Sequence, residues 1–174
     1  MTAFAFELVT PERVLWSGQA AAVSMRTDVG EVTFLANHSP LVGALDITVL
    51  RIEPAADGGD EDDAPAGSAE EVRAAVHGGF VLVDANKVVL ASGVAEMADE
   101  IDVPRAKRAL ESATSKVEAE SAEAPAAPAE EDGGPASGPG VASAAFLDPR
   151  SAEAALRRAK VRLAAVSGDT EQVA

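Results

Sequence analysis

The stretch that decides the fold runs from Asp28 to Leu45 and reads DVGEVTFLANHSPLVGAL. Val32 and Phe34 alternate with other residues as they do in a strand with one buried face. Residues 37–40 (NHSP) end this alternation, because proline lacks an amide hydrogen and pushes the residue before it out of helical geometry. The apolar run at 41–45 then begins a second strand. The stretch therefore predicts two strands joined by an exposed polar corner with a histidine at its tip.

Strand patterns continue on both sides of this corner. They occur at residues 4–8, 14–16, 23–25, 46–52, 72–76, 79–83 and 88–92. Ser17-Gly18 ends the second of them, and the residues 84–87 (DANK) have the chemistry of a hairpin turn. Many short strands separated by Gly, Pro and Asn indicate an antiparallel β-sandwich or flattened barrel. We predict such a sandwich domain over residues 1–100.

Helical signals begin at Ile101, and we predict an antiparallel helical hairpin domain over 101–174. Asp102 is a good N-cap for the first helix, and Ser167-Gly168 ends a second helix predicted from Ser151 to Val166. Apolar residues follow helical spacing in the first helix (Val103, Ala106, Leu110, Ala113, Val117) and in the second (Ala152, Leu156, Ala159, Leu163, Val166). Because alanine buries little area, the docking of this hairpin should be weak, which permits a mobile element.

The net charge of −15 comes almost entirely from two tracts. Residues 57–71 contain seven acids and residues 118–132 contain six, and removing these 13 from the total of 29 leaves 16 against 14 Lys and Arg. Tracts rich in Gly, Pro, Ala and acids do not bury enough apolar area to fold. We predict a disordered insert at 54–71 and a disordered linker at 118–146.

Composition excludes several classes of function. The chain has no cysteine, which excludes a thiolate metal site and a cysteine nucleophile. No apolar run reaches the roughly 20 residues that span a bilayer, and the first residues do not form a secretion signal. There is no broad basic surface, and aromatic residues make up only 3% of the chain, so nucleic acid is not an expected partner. Any membrane location must therefore come through a partner.

The corner resembles the signature of the epsilon subunits of ATP synthases. The matching positions are Gly30, Glu31, Val32, Phe34, His38, Pro40 and Leu41. Ser17-Gly18 and the GGF-x-x-V run at 78–83 also match. The resemblance implies a non-catalytic rotor subunit whose sandwich binds the gamma subunit and the c-ring and whose helical hairpin inhibits ATP hydrolysis. It also implies a peripheral location on the cytoplasmic side of the cell membrane. The family usually has a tight hairpin in place of the insert and a shorter turn in place of the linker.

The resemblance further implies a site for ATP as a regulatory ligand, with no cofactor required. Ile101-Asp102-x-x-Arg105-Ala106 matches the nucleotide-binding motif of some bacterial epsilon subunits, and Glu96 matches an acid that contacts the nucleotide there. Arg158 and Arg162 stand where two further arginines of the family stand, four residues apart and thus on one helical face. Guanidinium groups suit phosphate oxygens. A further arginine of the family is replaced by Ser112, and the alternative is that Asp102 only caps the helix while the other groups are solvated or ion-paired.

Two more sets of contact residues follow from the resemblance. The basic run Arg157, Arg158, Lys160 and Arg162 would meet an acidic loop of the catalytic beta subunit when the hairpin extends; alternatively it is an ordinary solvated helix face. Glu31 would face the c-ring, and the region of His38 would face the gamma subunit.

Two other classes of function remain as alternatives. One is a stand-alone β-sandwich adaptor that is unrelated to rotary enzymes. The other is a metal-dependent hydrolase that uses His38, His77 and nearby acids. No acid is placed beside His38 in the sequence, and the two histidines are far apart in the chain.

Overall fold

The computed structural model describes residues 2–55, 70–84, 86–123 and 151–168. The elements in these ranges are β1 (Phe4–Val9), β2 (Val14–Thr27), β3 (Gly30–Leu35), β4 (Leu41–Pro54), β5 (Val72–Asp84), β6 (Lys87–Ala91), β7 (Ala95–Met97), a 3₁₀ turn (Ala98–Glu100), α1 (Val103–Glu123) and α2 (Ala152–Ser167).

The strands form one closed sheet with the order β1-β6-β5-β4-β2-β3. β1 also pairs with β2, which closes the sheet into the predicted flattened barrel, and β7 pairs with β5. The pairing differs from the prediction in one place: β1 and β6 run parallel, whereas the other pairs are antiparallel. The corner lies between β3 and β4 as predicted, and Asn37 there has a positive φ of 61°, a conformation that Asn tolerates.

The strands are longer and fewer than the sequence indicated. β2 continues through Ser17-Gly18, and β4 runs without a break from the corner to Pro54. β5 likewise passes through Gly78 and Gly79, whose φ angles are 84° and 135°. A β-carbon at Gly79 would overlap the carbonyl oxygen of Ala91, so this close approach requires glycine. Gly and Ser were interpreted as strand ends, but here they allow a long strand to bend.

The core divides into two separate clusters. The main cluster fills the barrel with large side chains, including Phe4, Phe6, Leu8, Phe34, Leu50 and Ile52. The second cluster lies between the sheet and the helices and consists of Val49, Ala75, Ile101, Ala106, Val161, Ala164 and Ala165. The hairpin therefore packs on the outside of the barrel and contributes nothing to its interior.

The structure confirms the predicted N-cap of α1 and the predicted end of α2, and it adds an N-cap at Ser151, which was predicted only as the start of α2. Asp102 Oδ1 accepts a hydrogen bond from the amide of Arg105 (2.9 Å) at the start of α1. Ser151 Oγ accepts one from the amide of Ala154 (3.1 Å) at the start of α2. Gly168 ends α2 in the left-handed conformation, with φ 77°. A β-carbon at Gly168 would overlap only the flexible guanidinium end of Arg73 on β5, so it is the left-handed φ that favours glycine here.

The apolar stripe predicted for α2 was only partly right. α2 packs against α1 on one side and against β4 and β5 on another, so more than one stripe is covered. Val166 is exposed, although it was assigned to the buried stripe. The buried residues that the prediction missed are Ala154, Val161, Ala164 and Ala165.

The boundaries of the two predicted disordered segments also differ from the prediction. Pro54 belongs to β4, and the amide of the next residue, Ala55, donates to the carbonyl oxygen of Gln19 (2.9 Å). Residues 118–123 continue α1, because Glu and Ala are good helix formers even in a linker-like composition. The remainder of both segments, 56–69 and 124–146, lies outside the described residues.

Candidate functional site

The candidate site lies where β5, β7 and α2 meet. β7 pairs with β5 so that Glu96 stands opposite Ala75. Ala75 belongs to the cluster that packs against α2, so the chain around Glu96 lies next to that helix. Arg158 and Arg162 stand one helical turn apart on α2 and are both half-buried.

Glu96 and Arg162 form the central contact of this site. The Nε and Nη2 atoms of Arg162 both donate to Oε1 of Glu96, at 2.9 and 2.6 Å. This hydrogen bonding lowers the pKa of Glu96 below its ordinary value, although partial burial acts in the opposite direction. The positive charge of Arg105 lowers the pKa of Glu96 as well.

The sequence analysis did not place His77 in this site, next to the helical hairpin. Its side chain is only 3% exposed, and its Nε2 lies 3.9 Å from Oε1 of Glu96, too far for a hydrogen bond. The pKa of His77 is lowered from 6.5 to about 4, mainly by burial and also by the charges of Arg162 and Arg158, while Glu96 opposes these effects. Its position two residues after Ala75 could have indicated this placement, because that spacing puts both side chains on one face of β5.

The structure brings together four of the five residues predicted for nucleotide. Arg162 bonds to Glu96, Arg105 acts on the pKa of Glu96, and Arg158 acts on the pKa of the adjacent His77. Asp102 is exposed and caps α1, as its alternative interpretation held. Three guanidinium groups around a carboxylate and an imidazole suit the binding of an anion that also carries hydrogen-bonding groups.

The basic run on α2 is not simply a solvated face. Arg157 Nη1 lies 3.4 Å from both carboxylate oxygens of Asp46 on β4. Arg162 is occupied by Glu96, while Lys160 is half-buried. The docked hairpin therefore directs two of these basic side chains to acids of the sandwich.

Glu31 and His38 lie in a different part of the molecule. Glu31 is exposed on β3, which is separated from β5 by β2 and β4 in the sheet order. The His38 ring packs edge-on against Phe34, with 5.0 Å between ring centroids, and its Nδ1–H donates to the carbonyl oxygen of Ser39 (2.8 Å). His38 is thus half-buried rather than at an exposed tip. Among the described residues, no three His, Cys, Asp or Glu side chains gather where they could hold a metal ion.

An exposed apolar surface, which we call the β4–β5 patch, covers one outer face of these two strands. It consists of Val42, Phe80 and Leu82, which are 70%, 63% and 50% exposed. Val42 pairs with Leu82, and Phe80 lies two residues before Leu82, so all three side chains point to the same side. An exposed patch of large apolar side chains is typical of a protein-binding surface.

Of the helices that the structure describes, none has the length and hydropathy needed to cross a membrane.

Together, the fold and the site define a β-sandwich interaction domain that carries a docked helical hairpin. The family model of the ATP synthase delta/epsilon chain β-sandwich domain matches residues 3–98. The ATP synthase epsilon chain of Streptomyces griseus is 42% identical over 113 residues, which cover 65% of this chain and 82% of that relative. The corresponding protein of Brevibacillus brevis is 39% identical over 117 residues, covering 67% and 80%. The chain belongs to the ATP synthase epsilon chain family.

A solved structure has the same fold. A chain of the mitochondrial ATP synthase of Euglena gracilis, in a structure of OSCP, F1 and the c-ring, superposes with a TM-score of 0.54 at 24% identity. The match covers 67% of this chain and 66% of that one. Membership of the family decides against one alternative, a β-sandwich adaptor that is unrelated to rotary enzymes.

Proposed function

We propose that this chain is a non-catalytic subunit of the central stalk of a proton-translocating ATP synthase. The sandwich joins the gamma subunit to the c-ring, and the hairpin restrains ATP hydrolysis. The observation that carries the proposal is a barrel with its own core, on the outside of which the hairpin docks through a second, separate cluster. The chain is held at the cytoplasmic side of the cell membrane through these partners and needs no cofactor of its own.

The β4–β5 patch supports a protein contact on the sandwich, and we assign it to the gamma subunit. The corner at His38 extends this contact, and Glu31 faces the polar loops of the c-ring. Phe80→Glu places a charge in the centre of the patch and should abolish capture of gamma and c subunits from solubilised membranes by a tagged full-length chain. Val14→Glu is the matched control, because Val14 is also a largely exposed apolar residue but lies outside the patch. Equal capture by both variants would reject the assignment.

ATP is the proposed regulatory ligand of the hairpin site. Glu96, Asp102 and Arg105 come from β7 and the start of α1, whereas Arg158 and Arg162 come from α2. The nucleotide would therefore contact all of them only in the docked form, and a ligand shifts a two-state equilibrium by its differential affinity for the two states. Bound ATP would favour docking, with its phosphates competing with Glu96 for Arg162.

Calorimetry on the full-length chain tests the proposed ATP site. Arg105→Ala should abolish the heat of ATP binding, because Arg105 is exposed next to Glu96 and is available to a ligand. Lys107→Ala removes a positive charge from an exposed position of the same helix and should leave the affinity within about twofold. Undiminished affinity in Arg105→Ala would refute the site.

The basic residues Arg157, Arg158, Lys160 and Arg162 are proposed to contact the beta subunit when the hairpin extends. The pairs Arg157–Asp46 and Arg162–Glu96 must break before these arginines reach another protein. Docking and inhibition would thus compete for the same side chains.

A further inference from the structure

His77 lies on the face of β5 that α2 covers. Ala75 and His77 are two residues apart, so their side chains share one face of the strand. Ala75 packs with Val161, Ala164 and Ala165 of α2. Ile47, which pairs with His77 across β4, packs against the same cluster. The burial of His77 therefore depends on the docked hairpin.

Neither ring nitrogen of His77 has a hydrogen-bond partner among the described residues. A buried neutral imidazole without partners already costs free energy, and a charged imidazolium would cost much more. The nearest acid, Glu96, already accepts two hydrogen bonds from Arg162 on its Oε1. In the docked site the ring nitrogens therefore make no hydrogen bond to any described residue, and the carboxylate oxygen Oε1 of Glu96 stays 3.9 Å from Nε2.

The charges that face His77 come from β7 and from α2. Glu96 on β7 is the only one of them that favours a positive ring, while Arg158 and Arg162 on α2 oppose it. His77 also borders a groove of about 710 Å³ between α2 and the sheet. The charged residues that line this groove are Arg26, Asp28, Asp46, Glu153, Arg157 and Arg158. These six carry three charges of each sign, so the groove gives the ring no excess of negative charge.

We propose that His77 couples docking of the hairpin to proton concentration: the docked hairpin accepts only the neutral ring, and protonation of His77 favours release of the hairpin. The inference rests on the proposed mobility of the hairpin. It adds a response to acidification that needs no bound nucleotide.

The direction of the effect follows from the pKa of His77 in the two forms. In the docked form the pKa is lowered from 6.5 to about 4, mainly by burial. An undocked hairpin exposes the ring, whose pKa then returns to its ordinary value. The contribution of the neutral ring to docking is therefore complete well above pH 6.5, and it is lost as the pH falls from there toward 4. Between pH 7.5 and pH 5, the docking equilibrium constant should fall roughly 30-fold.

Hydrogen exchange on the full-length chain tests the inference. Protection factors of α2 amides should fall by roughly 30-fold between pH 7.5 and pH 5, while those of the barrel core change little. His77→Asn keeps a polar side chain that does not titrate in this range and should remove most of the fall. His38→Asn is the control and should behave like the unmodified chain. The ordinary pKa of Glu96 is 4.5, and docking lowers it. Both values lie below this pH window, so the titration of Glu96 contributes little to the fall.

A second measurement holds even if the His77 variant folds poorly. The chain has only two histidines, so NMR titration of the ring signals with His38→Asn for assignment gives the pKa of His77 directly. A value near 6.5 in the docked chain would overturn the inference. An equal fall of α2 protection in the unmodified chain and His77→Asn would also overturn it, yet leave the mobile hairpin intact. Exchange of α2 only together with the barrel would overturn both.

Discussion

Glu96 and Arg162 join two parts of the chain that are 66 residues apart in sequence. Because Arg162 lowers the pKa of Glu96 in the docked form, the ionised carboxylate stabilises docking at pH values above its ordinary pKa of 4.5. That contribution is lost as the pH falls through the lowered value. At neutral pH the pair is fully charged and contributes in full.

Glu96→Gln should weaken docking by about 1 kcal/mol, because the charge is lost and the exposed part of the carboxylate is screened by water. Exchange of α2 amides at pH 7.5 should become about fivefold faster. Glu7→Gln is a matched control: each glutamate side chain is 34% exposed and paired with one cation, but Glu7 pairs with Lys87 within the barrel. Faster α2 exchange in both variants would contradict a local role for the pair.

At the scale of elements, α2 is held by small side chains. The second cluster, between the sheet and the helices, is called the hairpin cluster here. Four of its seven buried residues are alanines, so the docking interface buries little apolar area for its length. The cluster is separate from the barrel core, so that core would stay buried if α2 left the sheet. Close approach of the helix, rather than large apolar area, is what positions Arg158 and Arg162 over β5 and β7.

Overpacking should undock α2 selectively. Ala165 is fully buried in the hairpin cluster, and Ala165→Leu should weaken docking by about 1–3 kcal/mol because the added volume has no space. Ala109→Leu adds the same volume at an exposed position of α1 and should change docking little. Hydrogen exchange would show the loss in α2 alone. Equal loss of protection in the barrel would mean that the hairpin and the barrel are one cooperative unit.

Local chemistry predicted the parts of the fold that depend on neighbours in sequence. The corner before Leu41, the cap at Asp102 and the helix end at Gly168 each follow from one or two residue types. β7 was missed because it has only three residues, and it is formed by pairing with β5 rather than by its own pattern.

The candidate site was predictable only where the resemblance supplied it. Glu96, Arg105, Arg158 and Arg162 lie near one another, but their role in binding nucleotide stays a prediction, and their partners do not follow from spacing along the chain. The burial of His77 depends on α2, which begins 75 residues later at Ala152. The strand pattern predicts on which face of β5 the His77 side chain lies, but it does not predict which element covers that face.

At the scale of the whole molecule, docking and inhibition place opposite demands on the same helix. The docked form directs Arg157 to Asp46 and Arg162 to Glu96. The proposed extended form needs the same basic side chains for an acidic loop of the beta subunit. The direction of a mutational effect on hydrolysis therefore depends on which of the two sets of contacts the substitution removes.

Glu96→Gln and the double variant Arg158→Ala with Arg162→Ala should accordingly change ATP hydrolysis in opposite directions. The first releases the hairpin with its arginines intact, so membranes carrying it should hydrolyse ATP about two- to fivefold more slowly, less so at high salt because the extended contact is electrostatic. The second also loosens docking, yet it removes the side chains that would meet the beta subunit, so hydrolysis should rise. Lys116→Ala, at an exposed position of α1, should leave the rate unchanged. A rise in both variants would show that the arginines serve only docking, and a fall in both would show that other residues of the helix make the inhibitory contact.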